Sequence, residues 1–292
     1  MKVVYRTTLR ISSVLLVAVI LLLFVEAQAQ TLPRPKHVVI VIEENHSYGQ
    51  IIGSAKAPYM NSLAAQGASF STFYALHHPS QPNYLELFSG SAQGVTDDHC
   101  LGTFAAPSLG GELIKKGFTF RGYSEGLPGS DPLKCKLGKY ARKHCPWVDF
   151  SDVPAEANLP FSRFPTDFND LPTVSFVIPN LDNDMHDGSI QQADLWLKNN
   201  LDAYVQWAKS NDSLLILTWD EDNKHSPHDT DPKKGQNRIP TILVGQMVKA
   251  GVVVSDRTYT HWDLLRTLEE MYGVSPPVGG SQTATSIRGI WK

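Results

Sequence analysis

Past the amino-terminal region, the first regular feature is an unalternating β-branched run, HVVIVI at His37–Ile42. A strand of a parallel sheet reads this way because both of its faces meet apolar neighbours. The segment from about Pro58 to Gln66 is predicted as a helix, with Pro in its first turn, apolar Met60 and Leu63, and Gly67 as terminator. Ser69–Leu76 reads as extended, Leu109–Lys116 as a short helix ending at Gly117, and Phe118–Tyr123 and Val174–Ile178 as strands. Between those strands, Ser151–Pro172 carries four prolines and several Asp and Asn, the composition of a long surface excursion. Leu197, Leu201, Tyr204, Val205 and Ala208 recur at helical spacing, so Gln191–Lys209 is predicted as an amphipathic helix. Leu214–Thr218 and Thr241–Val244 follow as strands. Thr260 and Asp263 then make a capping box for a helix that turns Leu264, Leu265, Leu268 and Met271 inward before Gly273. Strands alternating with helices predict a three-layer α/β/α domain around a mostly parallel sheet.

The amino-terminal residues have the layout of a secretory leader. Lys2, Arg6 and Arg10 precede an unbroken apolar run, Val14–Val25, and Ala27-Gln28-Ala29 supplies a small-x-small cleavage site. The run is shorter than the roughly 17–25 residues that span a bilayer, so cleavage before Gln30 is expected rather than anchoring. That division gives a leader at 1–29 and one domain at 30–292, with no Gly/Ser- or Pro-rich linker to split it, and places the protein outside the cell or in the periplasm. No later segment is apolar for long enough to act as a stable membrane anchor.

Charge and cysteines narrow the partners. The formal net charge of −3 gives no electrostatic reason to expect nucleic acid. In an exported chain, Cys100, Cys135 and Cys145 are most simply one disulfide plus one free thiol, and Cys100 with Cys135 is the preferred of three pairings. Their spacing does not suit zinc.

Four polar clusters stand after strands or extended segments: Glu43–Tyr48, His77–Tyr84, Asn180–Asp187 and Asp220–Asn223. In such sheets ligands bind beyond the carboxyl ends of the strands. Converging carboxylates repel unless protonated or bound to a cation, so one divalent metal ion is expected. Oxygen-rich ligands with an occasional imidazole admit magnesium, manganese, calcium, iron or zinc.

In order, EENHSY, HPSQPNYLELFSG, PNLDNDMHDGS and LTWDEDN resemble the phosphoesterase family of the alkaline-phosphatase superfamily, which includes secreted acid phosphatases and bacterial phospholipases C. The resemblance runs from about Lys36 to Gly273. It implies an alkaline-phosphatase-like fold and a metal site of Glu44, Asn45, Ser80, Asp220 and Glu221, with Ser80 as nucleophile and Asn83 donating to a phosphate oxygen. Asp182 and His186 resemble the Asp-x-x-x-His of two-metal phosphodiesterases. The late histidine of those enzymes is replaced by Asn237, which favours one metal with His186 protonating the leaving oxygen. His78 and His144 are weaker candidates for phosphate contacts, as is Asp182.

Chemistry independent of the family agrees. A serine hydroxyl is a poor nucleophile at neutral pH and metal coordination is one of few ways to activate it. Neutral donors and a cation stabilise the charge spread over a transferring phosphoryl group, and imidazole titrates near neutrality, as a proton donor to the leaving group requires. Other readings compete at single residues: a Ser beside Pro is usually a turn residue, Asp220-Glu221-Asp222 alone would be a solvated loop or a calcium site, His225 and His228 read as solvated, His46 reads equally as site or turn, and Glu125 equally as site or buried hydrogen-bonding group. The expected activity is a phosphomonoesterase acting on a small phosphomonoester or a phosphoinositide through a phosphoseryl intermediate. The rivals are a phospholipase C-like phosphodiesterase and a secreted binding protein with an inactive site.

Overall fold

The computed structural model describes Met1 and residues 31–129, 131–224, 226 and 228–292. The expected leader, its cleavage site and His225 lie outside the described residues. Residues 32–292 fold as one unit around an eight-stranded sheet. Its strands are β1 (His37–Glu43), β2 (Ala68–Phe70), β3 (Phe120–Ser124), β4 (Asn158–Pro160), β5 (Val174–Ile178), β6 (Ser213–Trp219), β7 (Thr241–Gly245) and β8 (Val252–Val254). They lie in the order β8-β2-β7-β6-β1-β5-β3-β4. Every neighbouring pair is parallel except those made by β7, which runs against both β6 and β2.

The helices are α1 (Tyr48–Ile51), α2 (Pro58–Gln66), α3 (Ser80–Ser89), α4 (Leu109–Lys115), α5 (Ile190–Ala208) and α6 (His261–Met271). α2 packs on α5, and both lie on β6 or β7, while α3 packs on α6 with α4 beside it against β3, completing the three-layer fold. The sequence places α2, β5, β6, β7, α5 and α6 within two residues of their observed ends, and the Thr260–Asp263 capping box is present.

Several elements depart from the expectation, β8 and the four-residue α1 among them, for which the sequence predicts nothing. α3 occupies a stretch read only as a polar cluster. The Pro-rich excursion contains β4, a three-residue edge strand beside β3, and Ser69–Leu76 is two short strands, Ala68–Phe70 and Phe73–Tyr74, broken at Ser71 and Thr72. Gly67 ends α2 for a different reason than a left-handed cap: a Cβ there would lie 2.0 Å from the Leu243 carbonyl oxygen, so glycine lets β7 pass close by.

Cys100 and Cys135 are joined by a disulfide bond, and Cys145 is a buried free thiol that burial pushes up to about 12. Among the described residues no helix is long and apolar enough to cross a membrane.

Candidate active site

β6, β1 and β5 are adjacent and parallel, so the residues that follow them are delivered to one edge of the sheet. Glu43 is opposite Trp219 in the register, which sets Glu44-Asn45 beside Asp220-Glu221. Two cross-strand bonds close that junction: Asp220 N–H donates to the Glu43 carbonyl at 3.1 Å and Asn45 N–H to Asp220 Oδ1 at 3.0 Å. Asn45 takes a left-handed backbone, φ 53°, a conformation asparagine tolerates better than most residues.

Ser80 is the first residue of α3, and its side chain faces this junction. Its Oγ donates within reach of two carboxylates, Glu44 Oε2 at 3.1 Å and Glu221 Oε1 at 3.2 Å. Tyr84, one turn along α3, donates to Glu44 Oε1 at 2.6 Å and stacks on His144. All ten residues of α3 are buried, so the serine is held by a packed element rather than a loop. Of the expected ligands, Ser80 thus meets Glu44 and Glu221 directly, and Asp220 joins them through the Asn45 backbone.

Electrostatically the cluster is under-compensated. Burial, reinforced by Asp220 and Asp184, raises Glu44 well above the usual carboxylate range, and burial with Glu221 raises Asp220 to about 7. Glu221 rises to about 8, chiefly by burial. Lys143, whose Nζ is 2.6 Å from Asp98 Oδ2, lowers Glu44 and Glu221 against that trend. Asp220 Oδ2 and Asn45 Oδ1 are buried without a hydrogen-bond partner. Oxygen donors of this kind, two of them orphaned and the three carboxylates resisting ionisation, are those that a hard divalent cation relieves.

The histidines are divided. His78 is buried with Nδ1 on Glu221 Oε2, and His144 is buried with Nε2 3.1 Å from Glu44 Oε1 and Nδ1 3.5 Å from Asp184 Oδ2. Burial lowers both. Expected as phosphate contacts, both instead stand behind carboxylates. His186 is about one-third exposed, with Nδ1 2.7 Å from Asp187 Oδ1, and its ring is 6.1 Å from that of His144. It lines a cavity of about 320 Å³ together with Gln81, Lys143 and the Cys100–Cys135 bridge.

Asp182 does not join His186: its carboxylate holds Lys139 Nζ at 2.6 Å on the surface. The acidic residue of that loop that enters the site is Asp184, fully buried, whose carbonyl accepts from Glu44 N–H at 2.8 Å. Sequence reasoning passed over it because its neighbours offered the family spacing, and the run Asp182-Asn183-Asp184 carries no signal that separates the two aspartates. Asn83 also has a different task from the one expected. Its Oδ1 accepts from Leu76 N–H at 3.0 Å and His77 N–H at 2.9 Å, and its Nδ2 donates to His77 O at 2.9 Å, so the whole amide is spent on the loop that leads to Ser80. Asn237 braces the same loop from the other side. Its Oδ1 accepts from Asp222 N–H and its Nδ2 donates to His77 O, both at 2.8 Å. Glu125 resolves as a hydrogen-bonding group, accepting from Asn180 N–H and Asn183 Nδ2, and His46 as a turn residue bonded to Glu44 O.

Carboxylates gathered around a serine hydroxyl at the strand ends of a mostly parallel sheet suit a phosphoric ester hydrolase. The fold is shared with an alkaline-phosphatase-superfamily protein from Vibrio parahaemolyticus, TM-score 0.59 at 16% identity over 88% of this chain and 73% of that one. It is shared too with a phosphonate monoester hydrolase from Silicibacter pomeroyi, TM-score 0.56 at 12% identity over 87% and 76%. The phosphoesterase family model matches residues 54–275, and the chain belongs to that family. It is 50% identical, over 90% of its length and 85% of the relative's, to a phosphatidylinositol-3-phosphatase of Mycobacterium tuberculosis. It is 30% identical to a phosphate-repressible acid phosphatase of Penicillium chrysogenum, over 75% of this chain and 55% of that protein. The chain thus spans about half the length of that fungal relative.

Proposed function

We propose that the protein is a metal-dependent phosphomonoesterase that acts through a phosphoseryl intermediate at Ser80, with a phosphoinositide monoester as its substrate class. The observation that carries this reading is the placement of the Ser80 hydroxyl at the start of a buried helix, between Glu44 and Glu221. The half-identical phosphatidylinositol-3-phosphatase supports the substrate.

Glu44, Asn45, Ser80, Asp220 and Glu221 would hold one divalent cation. Among the described residues no three His, Cys, Asp or Glu side chains already form a closed metal cluster, so the fit rests on the donor chemistry and the orphaned oxygens of Asp220 and Asn45. When bound, such a cation supplies positive charge that favours the serine alkoxide and the phosphoryl oxygens. The residues of the chain supply the rest. Ser80 Oγ attacks phosphorus as its proton passes to the Glu221 carboxylate, 3.2 Å away, and the ester P–O bond breaks. The Nδ1 bond to Asp187 leaves His186 Nε2 as the nitrogen that gives its proton to the departing alcohol. Water then attacks the phosphoseryl group with His186 taking its proton, the Ser80 O–P bond breaks as Glu221 returns the proton to Ser80 Oγ, and phosphate is released. Tyr84 holds Glu44 against rotation throughout.

The test compares p-nitrophenyl phosphate with bis-p-nitrophenyl phosphate, with and without chelator, for wild type and Ser80→Ala, with acid quenching to trap phosphoserine. Chelator-sensitive turnover of the monoester and a trapped phosphoserine, both lost in Ser80→Ala, are expected. A preference for the diester would select the phospholipase C-like reading, and full activity in Ser80→Ala would remove Ser80 as nucleophile.

A further inference from the structure

Next to the cavity that His186 and Lys143 line, every residue of Asp131–Lys139, DPLKCKLGK, is exposed. Leu133 and Leu137 are 56% and 48% exposed, and no other segment of this length among the described residues shows two such leucines. Lysines alternate with them. Lys139 is engaged by Asp182 and Asp187, whereas Lys134 and Lys136 make no ion pair among the described residues. The protein as a whole carries −3, so a basic, apolar tip is a local departure from its average surface.

The tip is also held stiffly. The Cys100–Cys135 bridge ties its middle to a second loop. Arg142 binds it twice, the guanidinium donating to Leu133 O at 3.1 Å and the backbone N–H to Cys135 O at 3.0 Å. Its far end pairs as a hairpin, Lys136–Leu137 with Tyr140–Ala141, and Leu181 N–H donates to Lys139 O. A loop ordered in advance loses little entropy when it binds. Cys135 and Lys136 form one wall of the cavity that His186 and Lys143 also line, so whatever surface the tip touches is brought to the mouth of that cavity.

We propose that Asp131–Lys139 is a docking loop for an anionic lipid surface: Leu133 and Leu137 enter the headgroup layer, Lys134 and Lys136 meet its negative charge, and the cavity takes its phosphoester from the membrane plane. The inference rests on the phosphoinositide reading above for the last of these clauses only. Leucines with interleaved lysines are the combination that interfacial binding uses, apolar area for insertion and cations for the anionic leaflet. A solvated loop has no use for the leucines.

The experiment is flotation of the full-length secreted protein with phosphatidylcholine vesicles, with and without phosphatidylserine, alongside turnover of p-nitrophenyl phosphate and of vesicle-embedded phosphatidylinositol 3-phosphate. Wild type is expected to float with the anionic vesicles and not with the neutral ones. Leu133→Ser combined with Leu137→Ser lowers that partition by about tenfold or more, and Lys134→Gln lowers it by about fivefold. Leu195→Ser, at an exposed leucine of α5, leaves it unchanged. The leucine variant keeps its p-nitrophenyl phosphate turnover, which also shows that it folds, and loses turnover of the embedded lipid in proportion to binding. Equal flotation of the leucine variant and wild type, or equal binding to neutral vesicles, overturns the proposal. Flotation that follows the loop variants without release of phosphate from the lipid would instead retain the docking loop and reject the phosphoinositide as substrate.

Discussion

Replacing Asn83 by alanine separates two roles that the same side chain could serve. A group that only donates to a substrate phosphate can be lost without harm to the fold. The observed amide, however, satisfies Leu76 N–H and His77 N–H, and its truncation leaves both backbone donors without a partner in a half-buried loop. His77 O keeps its bond from Asn237, so the carbonyl side is spared. Two such donors at about 1–2 kcal/mol each, the lower part of the range for unsatisfied groups, give a loss of about 2–4 kcal/mol. For a domain of this size that is a fall in Tm of roughly 5–15 °C. Asn83→Asp keeps an oxygen for both donors and should recover at least half of the loss. The assays are thermal unfolding by circular dichroism and kcat/KM on p-nitrophenyl phosphate. If Asn83→Ala melted within about 1 °C of wild type while kcat/KM dropped a hundredfold, the amide would belong to the substrate and the loop argument would fail.

Three further outcomes follow from individual contacts. Tyr84→Phe removes the 2.6 Å donation to Glu44 and is expected to lower kcat/KM about tenfold with a small change in Tm; unchanged kinetics would mean that Glu44 is fixed by other groups. Asp194 caps α2 from α5, accepting from Tyr59 N–H at 3.1 Å and Met60 N–H at 2.8 Å, so Asp194→Ala should cost about 1–3 kcal/mol in urea unfolding and leave kcat alone. Burial lowers His261 to about 4 from an ordinary value near 6.5. Its contribution to stability is therefore intact above pH 6.5 and is lost as pH falls towards 4, up to about 3 kcal/mol. His261→Gln should flatten that part of the stability curve, and a slope identical to wild type would assign the acid sensitivity elsewhere.

Most of the sheet was legible because a strand buried on both faces announces itself as an apolar run, as HVVIVI and LLILT do. α5 and α6 were legible because each has one dry face. α3 was not: all ten of its residues are buried, so no helical stripe marks it, and Pro79, Pro82 and Asn83 read as turn chemistry. β4 is three half-buried residues at the sheet edge, too short to show a period. At the site, the carboxylates and Ser80 followed from their position after strands and from the family motifs. The division of labour did not. Asp184 against Asp182, and the commitment of Asn83 to the loop, depend on which way a loop turns after β5 and before α3, and composition does not encode that.

The Asn237 brace gives the molecule a kind of tolerance. One side chain fastens the segment ahead of Ser80 to the segment after Asp220, although the two are far apart in sequence, while Lys143 and His144 approach the reactive centre from a third. The exposed tip, Asp131–Lys139, holds none of these groups and is free to be rebuilt. A protein organised in this way can change what it recognises by exchanging one excursion, in nature or at the bench, while the chemistry it performs stays as it was.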